Sequence, residues 1–418
     1  MGRPPPFGVP LAPVQPPQDA ANLPLDVDLL AEIFRHLDNP ASLIKCLLVC
    51  RRFYHVISSV LHTTPFFLGF YHVPNNNRVL LPQYINTNPH FTNPNLSLTY
   101  LNSETSNKYS IVESRGGRVL LRKMVHGLNL YFVLASPFEQ SSVAIESPPL
   151  FDVRIHRLVV CAYVPWTPPP NEEYKIVVVF SDKESGAQFT VMGFSSLTHS
   201  WTSLSHNQNG GVKFPKKGYP DSLEPTVFAG RMLYKCQNVD YILAVNPSTL
   251  LLSKIDLPVS EPCLLCDGNY CLGRTEDDNL CFFLMLKMDL FVWVYLVNNN
   301  SIGRWFPHEL EDVNKLMDVY AIEMGEVAGM RLSARMEDQM SGFRLVTLNG
   351  FGEGSGVLIL VMADWVVSYR IKSKKLEVLW CNDDWRTRVQ GVYAYEMQWP
   401  PVPMRRYIGE EQGACFRS

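Results

Sequence analysis

From Thr64 to near the C-terminus, short apolar runs rich in β-branched and aromatic residues alternate with turns rich in Asn, Asp, Gly, Ser and Pro. This pattern constrains the chain more than any other. Short runs of such residues between turn-forming clusters read as strands. The pattern predicts strands at Phe66–Val73, Arg118–Leu121, Asn129–Leu134, Val153–Val164, Lys175–Phe180, Phe189–Ser195, Thr226–Tyr234 and Asp240–Val245. It continues through Leu280–Lys287, Phe291–Val297, Phe343–Leu348, Val357–Val361, Trp365–Arg370 and Lys375–Trp380, with one short helix expected at Glu309–Met317.

A weak repeat runs through the same region. A strand is followed by a polar turn and then by a second strand that often closes on Trp, at Ser195–Trp201, Asn298–Trp305 and Lys372–Trp380. Ser136–Ile145 and Asn246–Ile255 show the unit without Trp. Repeats of a small antiparallel sheet read as the blades of a β-propeller, whose radial packing protects strand edges. The alternative is an irregular pair of β-sandwiches. Five units are visible, and Phe66–Val73 is placed to complete a last one.

The N-terminal part differs. Residues 1–21 form a Pro/Gln/Ala tract with too little apolar surface to order itself. Between residues 22 and 62 the period is helical. Leu29, Leu30, Ile33, Phe34 and Leu37 recur at the spacing of one helix face, and Asp26 and Asp28 stand at its positive end. Asn39-Pro40 ends that helix and opens another, continued by Leu43, Leu47 and Leu48, and Val49, Phe53 and Ile57 follow at i, i+4, i+8. Two or three short helices in forty residues give too small a core to stand alone, so a partner or the following domain should cover part of it. The expected fold is therefore mainly β with a small α-helical N-terminal domain: a tail at 1–21, helices at 22–62, a propeller-like domain at 65–405 and a tail at 406–418.

The segment Leu23-Pro24, Glu32-Ile33, Leu37, Pro40, Ser42-Leu43, Val49-Cys50-Arg51-Arg52-Phe53 resembles the F-box family, with Phe53 where many members carry Trp. The remainder resembles the propeller-type region that follows many plant F-boxes, through Ser114-Arg115-Gly116-Gly117 before a strand, the Asn246-Pro247-Ser248-Thr249 turn and the Trp-ended strands. The resemblance implies a non-catalytic substrate-recognition subunit of a Skp–cullin–F-box ubiquitin ligase. Its F-box would dock on a Skp-type adaptor, and through it on cullin, while the β domain binds an unknown substrate protein. Leu43, Val49 and Phe53 are the expected anchors, with Leu23, Pro24, Ile33, Leu37, Pro40 and Cys50 beside them. Two other readings remain open: a ligase-independent scaffold whose helices only pack inward, and a propeller enzyme or sugar-binding protein with a carboxylate-lined central pocket.

Other chemistry is weakly signalled. Net charge is −3, so no basic excess points to nucleic acid or an anionic membrane. The best apolar stretch, Leu280–Val297, is interrupted by Lys287 and Asp289, and no signal peptide opens the chain. A cytoplasmic or nuclear location with reduced cysteines is expected. Cys263, Cys266, Cys271 and Cys281 lack the spacing of a zinc site and read as core thiols. The run Gly350–Gly356 lacks the Lys of a phosphate loop and reads as a hairpin, and the acids at Glu276–Asp278 and Asp383-Asp384 read as solvated turns. No metal, cofactor or catalytic set is expected.

Overall fold

The computed structural model describes residues 26–35, 46, 52–53, 55–57, 66–74, 81–87, 96–101, 108–125, 129–149, 151–152, 156–163, 174–182, 189–206, 226–237, 241–259, 269–286, 289–297, 303–312, 346–362, 365–381 and 389–397. The chain divides into two compact units, Met1–Thr64 and Pro65–Ser418. In the first, helix α1 spans Val27–Arg35, and Cys46, Arg52, Phe53 and His55–Ile57 are also helical.

The second unit is a ring of six antiparallel sheets. The chain enters it through β1 (Phe66–Pro74) and β2 (Gln83–Asn86). Four strands then build each of five blades. The first has β3 (Lys108–Arg115), β4 (Arg118–Val125), β5 (Asn129–Ser136) and β6 (Ser141–Ile145). The second has β7 (His156–Tyr163), β8 (Lys175–Asp182), β9 (Phe189–Ser195) and β10 (Ser200–His206). The third has β11 (Val227–Ala229), β12 (Met232–Gln237), β13 (Tyr241–Val245) and β14 (Leu252–Asp256). The fourth has β15 (Tyr270–Arg274), β16 (Leu280–Leu286), β17 (Asp289–Val297) and β18 (Gly303–Asp312). The fifth has β19 (Val346–Gly352), β20 (Val357–Met362), β21 (Trp365–Arg370) and β22 (Lys375–Cys381). The last strand, β23 (Val389–Met397), pairs with β1, giving a sixth sheet in the order β2-β1-β23.

The molecule is thus a six-bladed propeller, not a pair of sandwiches. Blade follows blade around the ring through neighbouring inner strands, and β23 touches both β19 and β3 to complete the circle. The repeat seen in the sequence is the outer hairpin of each blade: Ser136/Ser141, Ser195/Ser200, Val245/Leu252, Val297/Gly303 and Arg370/Lys375 are its ends. The sixth unit escapes the repeat because its strands come from opposite ends of the chain. Phe66–Val73 does complete it, with Phe66 opposite Met397 and Pro74 opposite Val389.

The continuous apolar runs follow from this geometry. Side chains along a strand alternate between faces, and a middle strand is covered by a blade on each side. In β8, Ile176, Val178 and Phe180 pack toward the first blade, while Val177 and Val179 pack toward the third. In β16, Phe282 and Leu284 meet the third blade, and Cys281, Phe283 and Met285 meet the fifth. Leu358 and Leu360 of β20 face the fourth blade, and Val357, Ile359 and Val361 face the sixth. Outer strands lack a second cover, so four of the five residues of β6 are exposed.

The Trp-ended strands divide by role. The Trp201 indole N–H donates to the carbonyl of Glu146 after the first blade, and Trp305 does the same to Asp256 at the end of the third, each bolting its blade to the one before. Trp380 lies near the end of β22 rather than its start and turns the other way, its ring 5.5 Å from His72 and 6.5 Å from Phe70 of the sixth blade. Two expectations need correction. Glu309–Asp312 ends β18, paired to Val292–Asp289, and is not the start of a helix; the β partner outweighs the local helical spacing. Thr226–Tyr234 is two strands, because Gly230-Arg231, both at positive φ, turn the chain between β11 and β12. The two strands expected within Leu280–Val297 are present and pair as the hairpin β16–β17.

Closure is reinforced at the seam. Tyr395 in β23 donates its hydroxyl to the Gly117 carbonyl (3.1 Å), and the Gly117 N–H donates to the Glu396 carbonyl (2.7 Å). Gly117 has φ +75°, and a Cβ there would press on Met397 at 3.1 Å, so only glycine lets the first blade's hairpin lie on β23. Tyr71, Tyr84 and Tyr395 pack their rings within 5.1–5.7 Å behind it. A chain that begins at Pro65 is expected to keep one cooperative thermal transition. A chain that begins at Lys108 leaves the β23 edge unpaired and is expected to lose the transition or aggregate, as read by calorimetry and size-exclusion chromatography.

Candidate functional site

Two places are candidates for function, one in each unit. In the first unit, the Asp26 carbonyl accepts the Leu30 N–H, opening α1, and Asp28 lies in its first turn. The apolar stripe of this helix is split. Leu30 and Phe34 are 2% and 3% exposed, one turn apart, and Phe34 meets the half-buried Phe53 edge-on at 5.1 Å. Leu29 and Ile33 are also one turn apart, yet stand 50% and 42% exposed, with Val27 at 49%. The single apolar face expected from the spacing is thus divided: rotation by about 100° per residue puts 30 and 34 inward and leaves 29 and 33 at the open edge.

Of the expected anchors, Ile33 belongs to this open edge, while Phe53 turns partly inward against Phe34 and serves the unit's own core. Leu23, Pro24, Leu37, Pro40, Leu43, Val49 and Cys50 lie outside the described residues. Sequence reasoning gave Leu29 and Val27 no binding role; their signal was the extra width of the apolar stripe.

In the second unit, charged side chains meet at the propeller axis. Glu353, in the turn after β19, is ion-paired with the buried Arg115 at the end of β3. The same carboxylate accepts the Phe228 N–H of β11 (3.1 Å) and lies 3.7 Å from Arg274 Nε of β15. Arg274 also holds Asp278 (3.1 Å), which accepts the Gly230 N–H (3.0 Å). Glu113, two residues before Arg115 and beyond a bulge in β3, accepts the N–H groups of Ser114 (3.1 Å) and Thr226 (3.2 Å). Glu396 of β23 accepts the N–H groups of Gly354 (3.0 Å) and Ser355 (2.8 Å).

Several of these links skip a blade. Arg115 to Glu353 joins the first blade to the fifth, Glu353 to Phe228 joins the fifth to the third, and Glu113 to Thr226 joins the first to the third. Contacts between non-neighbouring blades of a ring must pass through its middle, so these groups fill the axis at the end where the inner hairpins turn. Burial pushes Glu113 up to about 7 against the lowering effects of Arg115, Ser114, Lys235 and Thr226, and burial likewise raises Glu396. The acidic turn is also corrected: Asp278 is bound by Arg274 and Gly230, although Glu276 reaches only the exposed Lys372.

Sequence reading treated Gly350–Gly356 as a hairpin, which it is, and passed over Glu353 inside it. A charge flanked by glycines at the end of an inner strand, in Arg115-Gly116-Gly117 and Gly352-Glu353-Gly354, was the available signal. Cys271 and Cys281 sit in β15 and β16 in the core shared with the fifth blade, and burial pushes the Cys281 thiol up to about 12. Cys263 and Cys266 lie outside the described residues.

A helical unit thus precedes a six-bladed propeller in this chain. A family model described as "F-box protein AT5G49610-like, beta-propeller" matches residues 110–402, and an F-box-like model matches 21–68. The propeller match covers more than half of the chain, so the chain belongs to this family. The ring in the structure begins earlier than that match, because β1 and β2 are part of its sixth blade. No curated protein matches the chain. Among solved structures, a quinoprotein alcohol dehydrogenase-like protein from Bacteroides thetaiotaomicron is 9% identical with a TM-score of 0.38, covering 79% of each chain. The WD40 domain of SCAP from fission yeast is 10% identical with a TM-score of 0.29, covering 72% of this chain and 67% of that one.

Removing the Glu353 carboxylate takes the ion pair from the buried Arg115 and leaves the Phe228 N–H without its acceptor. Glu353→Ala is expected to destabilise the propeller by about 3–5 kcal/mol in urea melts. Exposed Glu276→Ala, which loses only a surface pair, is expected to cost less than about 1 kcal/mol.

Proposed function

We propose that this protein is the substrate-recognition subunit of a Skp–cullin–F-box ubiquitin ligase and is itself non-catalytic. The observation that carries this reading is the open apolar edge of α1, formed by Val27, Leu29 and Ile33 inside the segment matched as F-box-like. Exposed residues one turn apart on an amphipathic helix suit docking into an apolar groove of another protein. Burial of each would contribute about 1.5–3 kcal/mol, enough in sum to outweigh a substantial association cost. The Skp-type adaptor would take this edge and link the chain to cullin, in the cytoplasm or nucleus. The propeller would hold the target protein, and tethering would raise the target's concentration near the transferring enzyme.

The axial carboxylates bear on the rival enzyme reading. Glu113, Glu353 and Glu396 are turned to backbone N–H groups and to Arg115, an arrangement that fastens blades.

The test separates docking from folding. Leu29→Asp and Ile33→Asp, made together, are expected to abolish co-purification with a Skp-type adaptor while the melting temperature stays within a few degrees, since both side chains are already in water. Phe34→Ala removes a buried ring and is expected to destabilise the first unit by about 3–5 kcal/mol. Undiminished adaptor binding by the double variant would defeat the proposed docking edge.

A further inference from the structure

The axial cluster contains one group whose surroundings pull in opposite directions. Glu113 is wholly enclosed. Facing it are Arg115 and Ser114 on its own strand, Cys161 on β7 of the second blade, Thr226 at the entry to the third blade, and Lys235 on β12. Arg115 in turn faces Glu353 from the fifth blade and Glu396 from the sixth. Every blade of the ring except the fourth thus places a group on Glu113 or on its neighbour Arg115, and the fourth joins through Arg274 on Glu353.

We propose that this cluster is a proton-responsive lock on the propeller axis, in which Glu113 releases its proton to solvent on ionisation and the charge left behind, enclosed at the junction of the first and third blades, weakens the propeller as a whole. Two cations and two N–H groups favour the carboxylate; the absence of water around it favours the neutral acid. The balance sets its titration at about 7, with burial the larger influence. Cys161 does not compete for the proton, because burial pushes its thiol up to about 11. Ionisation adds a buried negative charge near the Arg115–Glu353 pair, and Arg115 then has to be shared between the two carboxylates.

The direction of the stability effect follows from linkage. In the unfolded chain a glutamate has the ordinary value of 4.5, and in the fold Glu113 keeps its proton to about 7. The folded state therefore binds more protons across that window, and the stability contributed by Glu113 is present at low pH and lost as pH rises toward 7. The other surface carboxylates superimpose their own slopes, so the informative quantity is the difference between the chain and a variant that cannot titrate.

The experiment is done on the full chain. Melting temperatures of the wild type and Glu113→Gln are compared from about pH 5 to about pH 8, a range spanning the shift. The wild type is expected to lose stability relative to the variant as pH rises, with the difference levelling off above neutrality. Superimposable pH profiles would overturn the proposal. Should Glu113→Gln not fold, side-chain carboxyl resonances of the wild type labelled with carbon-13 glutamate give the answer directly. One glutamate is expected to titrate near neutrality, to persist in Glu396→Gln, and to move upward in Lys235→Met, which removes a facing cation. A wild-type spectrum in which every glutamate titrates below about 6 would equally overturn it.

Discussion

The pairing of β1 with β23 is the interaction on which the rest of the second unit depends. Five blades are made locally, each from a continuous stretch of chain folded strand upon neighbouring strand. A row of five such sheets still has two open ends, and each end exposes apolar residues that the middle strands prepared for a neighbour. Joining residues 66–86 to residues 389–397 turns the row into a ring and removes both ends at once. The cost is loop closure over more than three hundred residues, which grows only with the logarithm of length and is offset by eight paired positions and a layer of buried tyrosines.

Closure also explains why charge is tolerated at the axis. The inner strands of neighbouring blades touch around the ring, and at their hairpin end buried charged groups need partners. Arg115, Glu353 and Glu113 resolve this by reaching past their immediate neighbours to blades on the other side. Such pairs add little to stability compared with packed apolar side chains, but once present each member depends on the others. They link blades that do not touch as neighbours, which the apolar interfaces between adjacent blades do not.

The helical unit illustrates a different economy. With one short amphipathic helix and a few further turns described, it has few apolar residues to divide between self and partner. Leu30, Phe34, Val56 and Ile57 go inward with the edge of Phe53, and Leu29 and Ile33 remain outside. The stripe is wider than the described core of the unit uses, and its outer edge is the surface on which the proposed docking rests.

Much of this was legible without coordinates. Period-two runs bounded by turn residues determined that residues beyond 64 form strands, and the recurring strand–turn–strand unit determined a repeated sheet, because local dihedral preference and side-chain alternation act over a few residues. Helical spacing and the motif from Leu23 to Phe53 did the same for the first unit. Tertiary structure alone decided the rest. It set the sixth blade from strands at opposite ends of the chain and made Glu309–Asp312 a strand. It also divided the stripe of α1 between core and solvent, and brought Glu113, Arg115 and Glu353 together from blades far apart in sequence. Each of these depends on which surface covers a residue, and cover is supplied by distant parts of the chain that no local pattern encodes.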